Sequence, residues 1–308
     1  MKKFLLKTAI YFSTCFIITS VILIYFGGYV DFFYTKFTTP KAKSMIIGGS
    51  RSMQGLQPQI LDKELENIGL DLPFFNYSFT VSQAPIGSHY NKSIFKKLDP
   101  NTKNGVFIIS ITPWMLANEM PKDGGEEIFR EADQPPHNMI NVSMNPNYEY
   151  FLKNLSYFHF KGIFRQNSKM HKDGWLEQRY FPEDNATFLS WKKTQKDMLL
   201  RFVDDYQISQ KRLKSLEELL ISLKNHGKVF IVRTPIDNDF LEIENTFFTD
   251  FDLYIGDLCK KYDANYFNFN NGTSKENFKT YDGHHLDKNG SKYFSKIVCD
   301  SIKSVLKS

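Results

Sequence analysis

The chain has 308 residues, 42% of them hydrophobic and 24% charged, a balance that excludes a disordered polypeptide and supplies enough apolar side chains for a folded core. Its net charge is +5, but residues 1–43 hold Lys2, Lys3, Lys7, Lys36, Lys41 and Lys43 against Asp31 alone, so residues 44–308 are formally neutral. The positive excess therefore lies beside an apolar segment, where it suits lipid headgroups, and nothing favours a nucleic-acid partner.

From Thr8 to Phe26 the chain runs without a charge, long enough as a helix to cross a hydrocarbon core of roughly 30 Å. This predicts a transmembrane anchor over residues 1–27, with its short tail. A cleavable signal peptide is the alternative, but its apolar stretch is shorter and ends at small residues, whereas Tyr25, Phe26 and Tyr29 follow here. Lys2, Lys3 and Lys7 favour a cytoplasmic tail, which makes the protein a single-pass component of the cytoplasmic membrane with its domain on the extracytoplasmic side. Cys15 falls inside the anchor, and Cys259 and Cys299 either pair after export or stay as buried thiols. His89, His137, His159, His171 and His226 show no ligand spacing, so neither a metal nor another cofactor is expected.

Residues 28–43 read as an aromatic and basic spacer, and residues 44–308 as one α/β domain. Short runs rich in β-branched and aromatic residues predict strands at Ser44–Ile47, Pro73–Tyr77, Gly105–Ile111, Lys228–Arg233 and Asn265–Asn268. Helical spacing predicts helices at Pro58–Ile68, Pro85–Leu98, about Leu189–Asn225, Phe240–Tyr262 and Lys288–Leu306, with Gly227 stopping the third of these. The alternation implies a parallel sheet with helices on both faces, a three-layer, flavodoxin-like arrangement. Residues 114–190 lack it and read as an insertion over the strand ends, where ligands bind in such sheets.

Two stretches carry chemistry. The first strand runs into Gly-Gly-Ser, which delivers Ser50 to the carboxyl end of a buried strand just before a helix; backbone N–H groups of that turn are candidates to stabilise an oxyanion. Near the other end, Asp282 and His285 stand three residues apart before the last helix. That spacing lets a carboxylate hold the imidazole in one tautomer while the other ring nitrogen faces a serine hydroxyl. His284 is the rival base. Arg51 either binds an anionic or sugar substrate or caps the sheet edge, and Asn76 either orders the nucleophile loop or is a turn residue. Trp114, Trp175 and Arg179 either line a carbohydrate cleft or form the core of a lid.

Gly49–Ser50 and Asp282-x-x-His285, trailed by Leu286, Asn289 and Gly290, resemble the first and last blocks of the SGNH, or GDSL-like, hydrolases. The layout from residue 44 to 306 is similar to the divergent membrane-anchored members that accompany O-acyltransferases or D-alanine transfer. The resemblance implies Ser50 as nucleophile, His285 as base and Asp282 as its orienting carboxylate. It implies an oxyanion donor near Ser78, and a serine esterase or O-acyltransferase acting on acylated glycan of the cell envelope. An integral-membrane O-acyltransferase is the partner it suggests. Two departures stand out: Gly49 replaces the usual Asp, and SITPWMLAN replaces the Gly-x-Asn-Asp block after the third strand. They keep open a module that binds glycan or a membrane partner without turnover.

Overall fold

The computed structural model describes residues 1–121, 125–154, 167–271 and 278–307, so parts of the expected insertion, and His159, lie outside the described residues. Its strands are β1 (Ser44–Gly48), β2 (Phe74–Asn76), β3 (Gly105–Ser110), β4 (Ala117–Glu119), β5 (Ser168–Met170), β6 (Leu176–Gln178), β7 (Tyr206–Ile208), β8 (Gly227–Arg233) and β9 (Asn265–Asn268). Five of them form a parallel sheet in the order β2-β1-β3-β8-β9. Successive side chains of a strand point to opposite faces, and here both faces are apolar. Met45, Ile47, Phe107, Ile109 and Ile231 point into one core, while Ile46, Val106, Ile108, Phe230 and Val232 point into the other.

Helices cover both faces. They are α1 (Lys2–Val30), α2 (Ser50–Gly55), α3 (Pro58–Glu64), α4 (Ser88–Lys97), α5 (Tyr148–Asn154), α6 (Asn185–Asp205), α7 (Gln210–Lys224), α8 (Asn238–Phe247), α9 (Phe251–Lys261) and α10 (Lys288–Lys307). Tyr90 and Ile94 of α4, Leu216 and Leu220 of α7, and Ile255 of α9 fill the first core. Leu61 of α3 and Phe294, Val298 and Ile302 of α10 fill the second. Cys259 lies in the first core and Cys299 in the second; both are free, so the sheet separates the two thiols.

Helix α1 is long and apolar enough to span a membrane, with a mean hydropathy of 2.1 over its most apolar window and little of that window buried. Phe4, Ile10, Phe16 and Ile17 along it are exposed, as lipid-facing side chains are.

Three expectations about the helices change. The helix expected over about 189–225 is two helices, because Tyr206–Ile208 forms β7 against β4 and Ser209 then caps α7, its Oγ accepting from the Arg212 N–H. The helix expected over 240–262 likewise breaks at 248–250 into α8 and α9. Gly227 is not a helix stop: it is the first residue of β8, and a Cβ there would collide with the carbonyl of Gly105 on the neighbouring strand.

The spacer is not a solvated linker. Tyr34, Lys36 and Phe37 are buried, and the Lys36 ammonium donates to the carbonyls of Asn76 (2.6 Å) and Gly174 (2.7 Å), so it does not face lipid headgroups. Burial holds the Lys36 pKa well below the ordinary lysine value. Lys97 is buried too, donating to Thr39 O and Oγ1 and to Val142 O, and burial pushes its pKa down to about 7. Between that value and the ordinary lysine range the unfolded chain binds a proton that the folded chain does not. Stability is therefore expected to rise from pH 7 to pH 9.5, Lys97 contributing a slope of at most about 1.4 kcal/mol per pH unit. Denaturant titrations of the detergent-solubilised chain test this; Lys97→Met should flatten the slope, and an unchanged slope would contradict it.

Candidate active site

The register brings the carboxyl ends of the central strands to one level, with Gly48 of β1 opposite Ser110 of β3, and Ser110 opposite Val232 of β8. Gly49 leaves β1 in extended geometry and Ser50 is the first residue of α2, so its side chain stands at the rim of the sheet. From the other end of the chain, residues 280–286 form a tight loop closed by the Thr280–Leu286 bridge and by the Tyr281 N–H donating to His285 O (3.0 Å). Gly283 turns that loop with φ +80°; a Cβ there would lie 2.6 Å from the Phe240 ring.

The turn folds Asp282 back on its successors. Its Oδ1 accepts the backbone N–H groups of His284 (3.0 Å) and His285 (2.7 Å), and its Oδ2 lies 2.8 Å from His285 Nδ1. Burial pushes the Asp282 pKa up, but the adjacent His285 and the donated hydrogen bonds outweigh it, leaving the carboxyl below its ordinary value. An ionised carboxylate only accepts, so Nδ1 of His285 carries the proton and Nε2 is left as the acceptor. Nε2 lies 2.8 Å from Ser50 Oγ, whose hydroxyl therefore donates to it.

The surrounding groups hold this geometry. The Tyr281 ring stacks on His285 at 5.7 Å and 15°, and its hydroxyl donates to Gln54 Oε1 of α2 (2.7 Å), tying the histidine loop to the serine helix. Asn76 donates from Nδ2 to the carbonyls of Ser52 (2.8 Å) and Leu56 (3.1 Å), so it orders the helix that carries Ser50. Its Oδ1 takes the N–H of Ser78 (3.1 Å), and the Ser78 hydroxyl accepts from Ser52 Oγ. The expected oxyanion donor at Ser78 is thus already engaged.

Arg51 is buried rather than offered to solvent. Its Nη2 donates to Glu244 Oε1 (2.6 Å) and lies 3.4 Å from His284 Nδ1, while its Nη1 has no partner among the described residues. His284, the rival base, is held well below its ordinary pKa by burial and by Arg51, and faces that guanidinium. Trp114 is core: its indole N–H donates to Glu244 Oε1 (3.0 Å) and its ring stacks on Phe247. Trp175 donates to the carbonyl of Gln54 (2.8 Å), and Arg179 pairs with Glu177 rather than facing the serine. Sequence reasoning missed Tyr281, Gln54 and Glu244; only Tyr281 carries a local signal, its place beside Asp282.

A void of about 20 Å³ adjoins Ser50, walled by Gly49, Arg51, Thr112 and Trp114 and roofed by Met198 and Leu199 of α6. It has room for about one water, so the space beside Ser50 is narrow where Met198 and Leu199 overhang it. Among the described residues no group of three or more His, Cys, Asp and Glu side chains is placed to hold a metal. Compared with models of known families and with curated proteins, the chain matches none.

Proposed function

We propose that the chain is a membrane-anchored serine esterase or O-acyltransferase of SGNH-like type, acting outside the cytoplasmic membrane on acyl esters of cell-envelope polysaccharide. The observation that carries the reading is the relay from Asp282 through His285 to Ser50, with both contacts at 2.8 Å. In this mechanism Ser50 Oγ attacks the acyl carbonyl as its proton passes to His285 Nε2. The oxyanion meets the Ser50 N–H, which has no intrahelical acceptor in the first turn of α2, and the unpaired Nη1 of Arg51. The alcohol leaves with the proton of His285, and an ester remains on Ser50. Water then yields an esterase; a sugar hydroxyl yields an acyltransferase.

The occupied Ser78 amide favours a second reading, a module that binds glycan or an integral-membrane O-acyltransferase without turnover. Fluorophosphonate labelling of the detergent-solubilised full chain separates the two. Wild-type labelling that vanishes in Ser50→Ala supports the enzyme. A wild-type chain that neither labels nor cleaves an activated acetyl ester supports the module.

A further inference from the structure

A second cavity lies away from Ser50, where α1 meets the domain. Its volume is about 690 Å³, within the range that holds a small amphiphile. Leu23, Tyr25, Tyr29 and Phe32 wall one side and Lys169 and Lys172 another, and among the described lining residues there is no carboxylate.

The anchor sets the depth of this cavity. Helix α1 enters the bilayer near Lys2 and leaves it near Tyr29, so side chains from Leu23 to Phe32 stand at the far lipid–water boundary. The neighbouring face of the domain reaches beyond that boundary, along the anchor into its apolar span. Tyr148 of α5 stacks on Phe16 at 5.2 Å and shares a 2.6 Å hydrogen bond with Ser20, deep along the anchor. Ile140 and Leu152, around that contact, are 69% and 80% exposed, an arrangement water disfavours and lipid accepts. Asn145, between them in sequence, also lines the cavity.

We infer that this cavity binds one anionic phospholipid of the bilayer, its acyl chains against the aromatic wall and its phosphate against Lys169 and Lys172. The inference rests on α1 spanning a membrane and is independent of the serine chemistry. Neither lysine has an ion-pair partner among the described residues, and a phosphate supplies one.

Native mass spectrometry of the full chain in mild detergent tests it, with phosphatidylglycerol and phosphatidylcholine added in equal amounts. One phosphatidylglycerol per chain is expected to stay bound, preferred over phosphatidylcholine by about 25-fold, at about fivefold for each lysine near the headgroup. Lys169→Gln with Lys172→Gln should abolish the preference while the thermal transition stays within a few degrees. Equal retention of the two lipids by the wild type overturns the inference without any variant. So does a preference that survives in a folded double variant, since lipid clinging to α1 alone is indifferent to these lysines.

Discussion

Replacing Ser50 by alanine is expected to lower kcat for an activated acetyl ester by about 10⁶-fold, and Asp282→Asn by about 10⁴-fold, with KM little changed in either. The grading follows from the contacts. Alanine removes the atom that forms the new bond. Asparagine keeps an oxygen for the backbone N–H groups of His284 and His285, so the loop stays folded, but its amide can donate to Nδ1. The imidazole proton then moves to Nε2, which can no longer accept from Ser50 Oγ. Because the Asp282 carboxyl is held below its ordinary pKa, the stability it supplies is present above the unfolded carboxylate range and is lost as pH falls through the folded value. Asp282→Asn should therefore reduce the acid sensitivity of folding while it cripples turnover. Steady-state assays of both variants check the grading; an Asp282→Asn enzyme within tenfold of wild type would remove the relay from the mechanism.

The meeting of Ser50, Asp282 and His285 was legible because each sits in a short local pattern: a strand running into Gly-Gly-Ser, and a carboxylate and histidine one loop apart before a helix. The central strands were legible for a related reason. Burial on both faces demands continuous apolar runs such as Met45–Ile47 and Val229–Val232, and few other contexts do. What stayed hidden depends on distant partners. Lys36 reads as a cation beside lipid headgroups until the carbonyls of Asn76 and Gly174 surround its ammonium. The break at Tyr206–Ile208 needs β4, 87 residues earlier in its closest register pair, to become a strand. Ser78 lay near the position the family layout suggested, yet Asn76 claims its amide, a contact that no spacing rule reports. Arg51 was ambiguous in sequence and is divided in the fold, one nitrogen committed to Glu244 and the other buried without a partner among the described residues.

Glu244 has no motif around it, yet its removal is expected to be the most damaging change to stability away from Ser50, Asp282 and His285. Its side chain is fully buried, and its two oxygens take Arg51 Nη2 and the Trp114 indole on one side and Arg233 Nη2 on the other. Arg233 has a second carboxylate, Asp252, at 2.9 Å, but among the described residues Arg51 has no other. Glu244→Ala therefore strands a buried guanidinium beside Ser50 and leaves two cations repelling across the gap. The expected cost is about 3–5 kcal/mol, read as a fall in Tm of roughly 10 °C. Glu244→Gln keeps one acceptor and the side-chain volume, so its cost should be smaller, because only one of the arginines then faces an amide N–H. Combining Arg51→Met with Glu244→Ala should recover part of the loss, since the stranded charge goes with its partner. Thermal melts of the single and double variants measure that coupling. If Glu244→Ala melts within about 2 °C of wild type, water reaches the arginines and the pairing beside Ser50 contributes little to holding the strand ends together.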